Sequence, residues 1–166
     1  GIMMASAAPS HADQASFTRI APQFIAALGD PGATSGNNAQ TNLFSTSDWS
    51  LVASLPGHTQ LAWGAAPTND GKRLVSSGWD DVVKVWDVPG QREIHTLPLP
   101  RDPGHAVGPV RALAVSPDGT VLALAHQDNV VLLRERGTGQ IVRSLEGAAD
   151  MIAAVASAPN GQSVAA

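Results

Sequence analysis

The stretch Arg73–Leu97, RLVSSGWDDVVKVWDVPGQREIHTL, decides how the chain is read. It divides into three short strands separated by two tight turns. The central run Val82–Val88 is β-branched and aromatic, which suits a pleated, half-buried strand. Gly78–Asp81 and Pro89-Gly90 supply the turn chemistry on either side.

Two sets of segments repeat this pattern. LFSTSDWSLVASL (43–55), VWDVPGQREIHTL (85–97) and LRERGTGQIVRSL (133–145) align without gaps, at offsets of 42 and 48. Each is a strand end, a turn and a second strand closing on Ser/Thr-Leu. Asn69-Asp70-Gly71, Pro117-Asp118-Gly119 and Pro159-Asn160-Gly161 form the second set, at offsets of 48 and 42. Their Gly, Asn and Asp residues tolerate positive φ. Six extra residues fall between Leu97 and Gly119, in PLPRDPGHAVGP (98–109), which reads as an inserted surface loop. A period in the low-to-mid forties with about four strands per unit is that of a β-propeller blade. The fold class is therefore all-β, a partial propeller of four-stranded antiparallel blades. We call the strands of a blade a to d, from the inside out.

The spacing predicts a complete blade over 56–97. Its strands a to d fall near 61–66, 73–77, 82–88 and 92–97. A second complete blade spans 98–145, with strands near 110–115, 121–125, 130–134 and 140–145. A truncated blade over 146–166 has only its first two strands, near 152–156 and 163–166. Residues 33–55 read as a partial blade, because the 42-residue shift puts Thr34, Asn38 and Phe44 where Ser76, Asp80 and Trp86 stand. Residues 1–32 read as a leader or irregular arm. In FTRIAPQFIAALGDPG the apolar residues fall at mixed helical spacing and Pro22 interrupts them, so a short helix competes with a strand.

In Trp86-Asp87, closing the middle strand, and Gly57-His58 upstream, the chain resembles the WD-repeat (β-transducin-type) β-propeller family. The resemblance covers roughly residues 33–166 and is strongest in the 56–97 blade. It implies a buried hydrogen-bonded tetrad of His58, Ser76, Asp80 and Trp86, with Ser77 as a substitute for Ser76. A buried indole N–H and hydroxyl need acceptors, and a carboxylate beside an imidazole satisfies both groups. The same residue types make a hydrolase triad. A triad needs an exposed nucleophile, an oxyanion hole and a cleft; here the serine lies mid-strand with no nucleophile-elbow glycines. The next blade departs from the pattern. Arg134 replaces the Trp, Leu124 and Ala125 replace the hydroxyl, and His105 lies one residue off the aligned Ala106. Apolar packing is expected to hold that blade. The resemblance also implies that partners bind the face made by the d–a and b–c loops. Loop placement puts Thr59, Gln60, Trp79, Asp81, Arg101, Asp102, Arg111 and Gln127 there.

Composition excludes much else. The 166 residues are 43% hydrophobic but only 4% aromatic, so the core must be built from small and β-branched side chains. With 16 glycines and 12 prolines, many short strands and turns are expected. A net charge of −4 is no nucleic-acid footprint. The absence of cysteine excludes disulfides and thiolate zinc sites. No apolar run is long enough to span a membrane. No cofactor or metal is expected; His11 and Asp13, in the leader, make a poor metal pair. His95 reads as a solvated edge residue, His126 as a polar b–c turn residue and Trp63 as core. Residues 1–15, with Ala5-Ser6-Ala7, read as a disordered start or as the remnant of a bacterial secretory signal. The compartment is accordingly cytoplasmic or, with a signal, periplasmic or secreted.

At this period 166 residues make about three and a half blades, below the usual four to eight. The expectation is a fragment of a longer propeller, or self-association that closes the ring. The expected function is a non-catalytic protein-interaction scaffold with unknown protein partners. A periplasmic ligand-sensing or hydrolase/lactonase-like propeller is the alternative. It would need carboxylates or histidines on the inner strands, and LAWGAA, VRALAV and IAAVA have none.

Overall fold

The computed structural model describes residues 16–21, 24–28, 40–99 and 109–166, with side chains from residue 40 onward. The described residues contain fourteen strands and no helix. β1 (Ser16–Ala21), β2 (Phe24–Leu28), β3 (Gln40–Ser45) and β4 (Leu51–Pro56) form the first four-stranded antiparallel sheet, in that order. β5 (Ala62–Pro67), β6 (Arg73–Gly78), β7 (Val82–Asp87) and β8 (Arg92–Pro98) form the second. β9 (Val110–Val115), β10 (Val121–His126), β11 (Val131–Glu135) and β12 (Ile141–Leu145) form the third. β13 (Ala156–Ser157) and β14 (Val164–Ala165) pair as a two-stranded sheet. The first strand of each unit runs beside the first strand of the next.

The core lies between consecutive sheets. Leu43 and Leu55 of the first meet Leu74, Trp86 and Val88 of the second. Val75, Val83, Val85 and Leu97 of the second meet Val110, Leu113, Leu122 and Leu124 of the third. Ala114, Ala123, Ala125 and Val131 pack against Ile152 and Val164 at the start of the fourth. A strand covered on both faces has no polar side to alternate with. Five of the six residues of β6 and of β10 are accordingly buried, and both read as continuous apolar or small runs. Such sheets pack about 10 Å apart, and among the described residues Leu, Val and Ala fill most of the gap, with Trp86 the one aromatic among the buried hydrophobic side chains.

Turn geometry repeats with the sequence period. Trp49, Gln91 and Gly139 hold the same place in successive c–d turns, and all three have positive φ (60°, 51° and 74°). Gly71, Gly119 and Gly161 do the same in the a–b turns. Each outer strand also carries an irregularity at one point, leaving Val52, Ile94 and Val142 as the extra residue. Such bulges twist an exposed edge away from foreign strands.

The beginning of the chain differs from expectation. Residues 16–28 form the β1–β2 hairpin, not a helix or an irregular arm, so the first blade has all four strands and is not confined to 33–55. Its strand b is Phe24–Leu28, upstream of Thr34. A constant 42-residue shift fails because eleven residues, 29–39, separate β2 from β3, whereas three, 79–81, separate β6 from β7. Thr34 and Asn38 lie outside the described residues. His126 is also corrected: it is the last residue of β10 and is buried, not an exposed turn residue. There Ala125 and His126 pair with Ala112 and Val110, a bulge that draws the ring in from the turn.

Candidate functional site: the tetrad and the end face above it

Strand alternation sends Ser76 to the side of β6 that faces Trp86 and sends Ser77 to the other, where its Oγ has no hydrogen-bond partner. Ser76 is thus the network member, and it is fully buried. The Trp86 indole N–H donates to Ser76 Oγ at 2.8 Å. With one lone pair taken, the Ser76 hydroxyl donates to His58 Nε2, also at 2.8 Å. His58 Nδ1–H then faces both Asp80 oxygens, 3.0 Å from each. Asp80 Oδ2 accepts a further bond from the Thr59 N–H at 2.8 Å, tying the β4–β5 connection to the β6–β7 turn. Burial pushes the His58 pKa down from 6.5, and Asp80 only partly offsets it. Every donor and acceptor in the chain is matched when the imidazole is neutral.

Two glycines make room for this arrangement. A Cβ on Gly78 would stand 2.8 Å from Asp80 Oδ1 and 2.8 Å from His58 Nδ1. One on Gly57 would meet Glu93 Oε2 at 2.9 Å and the Trp86 ring at 3.0 Å. Glu93 belongs to a second cluster that sequence reasoning missed. Buried Lys84 donates from Nζ to Glu93 Oε2 and to Thr96 Oγ1, each at 2.8 Å, and Thr96 also bonds Glu93. Opposite charges on adjacent strands, near a direct Lys84–Thr96 pairing, were the available signal.

In the third blade the equivalent positions do different work. Arg134, in the Trp86 position, is buried and donates from Nη1 to the Gly139 carbonyl at 2.9 Å. Leu124, in the Ser76 position, joins the interblade core. His105 and Ala106 lie outside the described residues.

The d–a connections and b–c turns come to one end of the sheets, by the a-b-c-d antiparallel order. Thr59, Gln60 and Gln127 are exposed there, and Asp81 and Arg111 are half-buried. Arg101 and Asp102 lie outside the described residues. Trp79 is 43% exposed. Its ring stacks on Trp63 with centroids 6.0 Å apart and planes at 26°, so Trp63 is a half-buried platform and not core. The Trp79 N–H bonds the Leu61 carbonyl at 2.9 Å, which holds the turn against the start of β5. Trp63 and Arg111 are equivalent bulged residues at the starts of adjacent inner strands. Sequence alone could not show the bulge, and without it Trp63 reads as an ordinary core residue. Arg111 Nη1 donates to Met151 Sδ at 3.1 Å. Among the described residues no group of three or more His, Asp or Glu could hold a metal ion, and no helix is long and apolar enough to cross a membrane. His11 and Asp13 are outside that range.

Blades of this length, order and tetrad define a WD-repeat β-propeller. The profile of the WD domain, G-beta repeat family matches residues 49–87 and 92–133, and the chain belongs to the WD-repeat family. Over 95 residues it is 36% identical to "Small ribosomal subunit protein RACK1" of Caenorhabditis elegans, covering 57% of this chain and 27% of that protein. It is 33% identical over 95 residues to "Cross-pathway control WD-repeat protein 2" of Flammulina velutipes, covering 57% of this chain and 28% of the relative. The RACK1 protein of Neurospora crassa is 32% identical over 108 residues, covering 63% of this chain and 31% of the relative. The matched region thus spans about three tenths of each relative's length. All three relatives are eukaryotic, so the bacterial source read from residues 1–15 has no support.

Proposed function

We propose that the chain is a non-catalytic protein-interaction scaffold, and that the end face carrying Trp79 and its neighbours Thr59, Gln60, Asp81, Arg111 and Gln127 receives the partner. Arg101 and Asp102 of the inserted loop belong to the same proposal. The observation that carries it is Trp79: 43% exposed, backed by Trp63 and held by a backbone hydrogen bond. A rigid, half-exposed aromatic is the usual anchor of a protein interface. The match to the WD domain, G-beta repeat family agrees with this reading. The hydrolase reading has no comparable support. Ser76 is fully buried and its hydroxyl is engaged by both Trp86 and His58, which leaves no approach for a substrate. Self-association and added blades remain the two proposed routes to ring closure, and light scattering separates them.

Affinity capture tests the interaction reading. The wild-type chain should retain a partner that Trp79→Ala loses, while ester and lactone substrates turn over at background rate. Equal capture by both chains, or hydrolysis abolished by Ser76→Ala, overturns it.

A further inference from the structure

The bulge at the start of β9 takes Arg111 out of the strand ladder, and its side chain reaches the connection between β12 and β13. There Nη1 donates to Met151 Sδ at 3.1 Å, the one side-chain hydrogen bond of Arg111 among the described residues. Arg111 Nε is buried and has no acceptor. A thioether accepts hydrogen bonds only weakly, so this guanidinium is poorly satisfied. Met151 itself is 56% exposed, within reach of small solutes. Its backbone is anchored on both sides. The Met151 N–H donates to Asp150 Oδ1 at 2.7 Å, and Ile152 is buried in the cluster formed with Ala114, Ala123, Ala125 and Val131 of the third blade.

We infer that Met151 is an oxidation site whose sulfoxide is captured by Arg111, so that oxidation tightens the joint between the third blade and the chain that follows it. The oxidant is hydrogen peroxide. The sulfur attacks one peroxide oxygen, and the S–O bond forms as the O–O bond breaks. The proton on the transferred oxygen passes to the departing hydroxide, which leaves as water. Sulfur loses two electrons and the peroxide gains them. Such oxidation disrupts a core because it puts a polar oxygen among apolar side chains. At Met151 the side chain is exposed, so the new oxygen keeps its access to water. Rotation about the Cγ–Sδ bond swings that oxygen toward Arg111 Nη1, which already lies at hydrogen-bond distance from the sulfur. A weak N–H···S contact is then replaced by a charge-assisted N–H···O bond, the stronger class. Its two ends lie 40 residues apart in the chain, on β9 and on the connection before β13.

The test treats the whole chain with hydrogen peroxide and follows the gain of one oxygen at Met151 by peptide mass mapping. Met3 and Met4 also carry thioethers, so Met151→Leu, treated in parallel, isolates the site. Oxidised wild-type protein should melt about 2–4 °C above the untreated protein, and a methionine sulfoxide reductase should reverse the gain. Treated Met151→Leu should melt like its untreated form. Arg111→Leu should still take up oxygen at Met151 yet gain nothing. Where that variant fails to fold, hydrogen exchange on the wild type reads the same contact, and oxidation should slow exchange in β9 and across residues 150–153. A wild-type midpoint that falls or stays constant once Met151 is oxidised overturns the inference. So does an equal gain in Arg111→Leu, unchanged exchange in β9, or a Met151 that stays unoxidised while Met3 and Met4 gain oxygen.

Discussion

Asp80 joins two segments of the second blade: it accepts from His58 and from the Thr59 backbone. Removing its carboxylate leaves a buried imidazole N–H and a backbone N–H without acceptors. Asp80→Ala should cost about 1–3 kcal/mol, read as a lower midpoint in urea; an unchanged midpoint would show the network to be energetically idle. His58 makes stability depend on pH in a defined direction. Its pKa is lowered on folding, first by burial, so the unfolded chain binds the proton more readily. The contribution is full above pH 6.5 and is lost as pH falls from there through the lower folded value. The reason is visible in the bonds. A proton on Nε2 would face Ser76 Oγ, which already accepts from Trp86, and would turn the serine O–H away from its only acceptor here. Urea midpoints measured on both sides of that pH should fall on the acid side, and His58→Gln should flatten the slope. These four residues were legible in the sequence through the resemblance to WD-repeat blades, whose His, Ser, Asp and Trp positions they match. The Trp63–Trp79 stack was not, because a bulge re-aims Trp63.

At the scale of the elements, turns carry the repeat. In the a–b turns of the second and third blades a hydroxyl and a carboxylate lock the chain. Thr68 Oγ1 donates to Asp70 Oδ1 at 2.6 Å and the Lys72 N–H to the same oxygen at 3.0 Å; Ser116, Asp118 and Thr120 repeat this at 2.5 and 3.1 Å. Those bonds hold the Asp118 pKa down at about 2, with the Ser116 hydroxyl the largest cause. The turns also tie blade to blade, since Asn69 Nδ2 donates to the Pro117 carbonyl at 3.3 Å. The c–d turns are less well suited to their residues. Trp49 adopts φ 60° where the third blade has Gly139 at φ 74°, and it is 59% exposed. A left-handed conformation costs a side-chain-bearing residue about 1–2 kcal/mol, and little packing offsets it here. Trp49→Gly should therefore raise the thermal midpoint; a lower midpoint would mean that the indole packs usefully after all. The β1–β2 hairpin was the element hardest to foresee. Its apolar spacing mimics a helix, and only pairing with β3 along five residues settles it as sheet.

The molecule as a whole is a row of sheets in which each buries the next, so its stability is a sum over interfaces as in other repeat proteins. Leu124 belongs to the core between the second and third blades and is fully buried. Leu124→Ala should cost about 2–5 kcal/mol. It should also loosen both blades at once, read as lost hydrogen-exchange protection in β5–β8 together with β9–β12. Loss confined to β9–β12 would mean that the blades stand independently. The third blade is the one that depends on this packing, having Leu124 and Arg134 where the second has Ser76 and Trp86.

Taken alone, the amino-acid order determined what is local or periodic: strands of four to seven residues, turns rich in Gly, Asn and Asp, a 42–48-residue repeat, and the composition of a core with few aromatics. Those follow from backbone sterics and from the two-residue alternation of a strand, which act between near neighbours. Only the tertiary structure decided what depends on contacts across a long connection. It paired residues 16–28 into the first blade across the eleven residues 29–39, chose Ser76 over Ser77, and turned Trp63 out to meet Trp79. Register and bulges are set by the partner strand, and no single segment contains its partner.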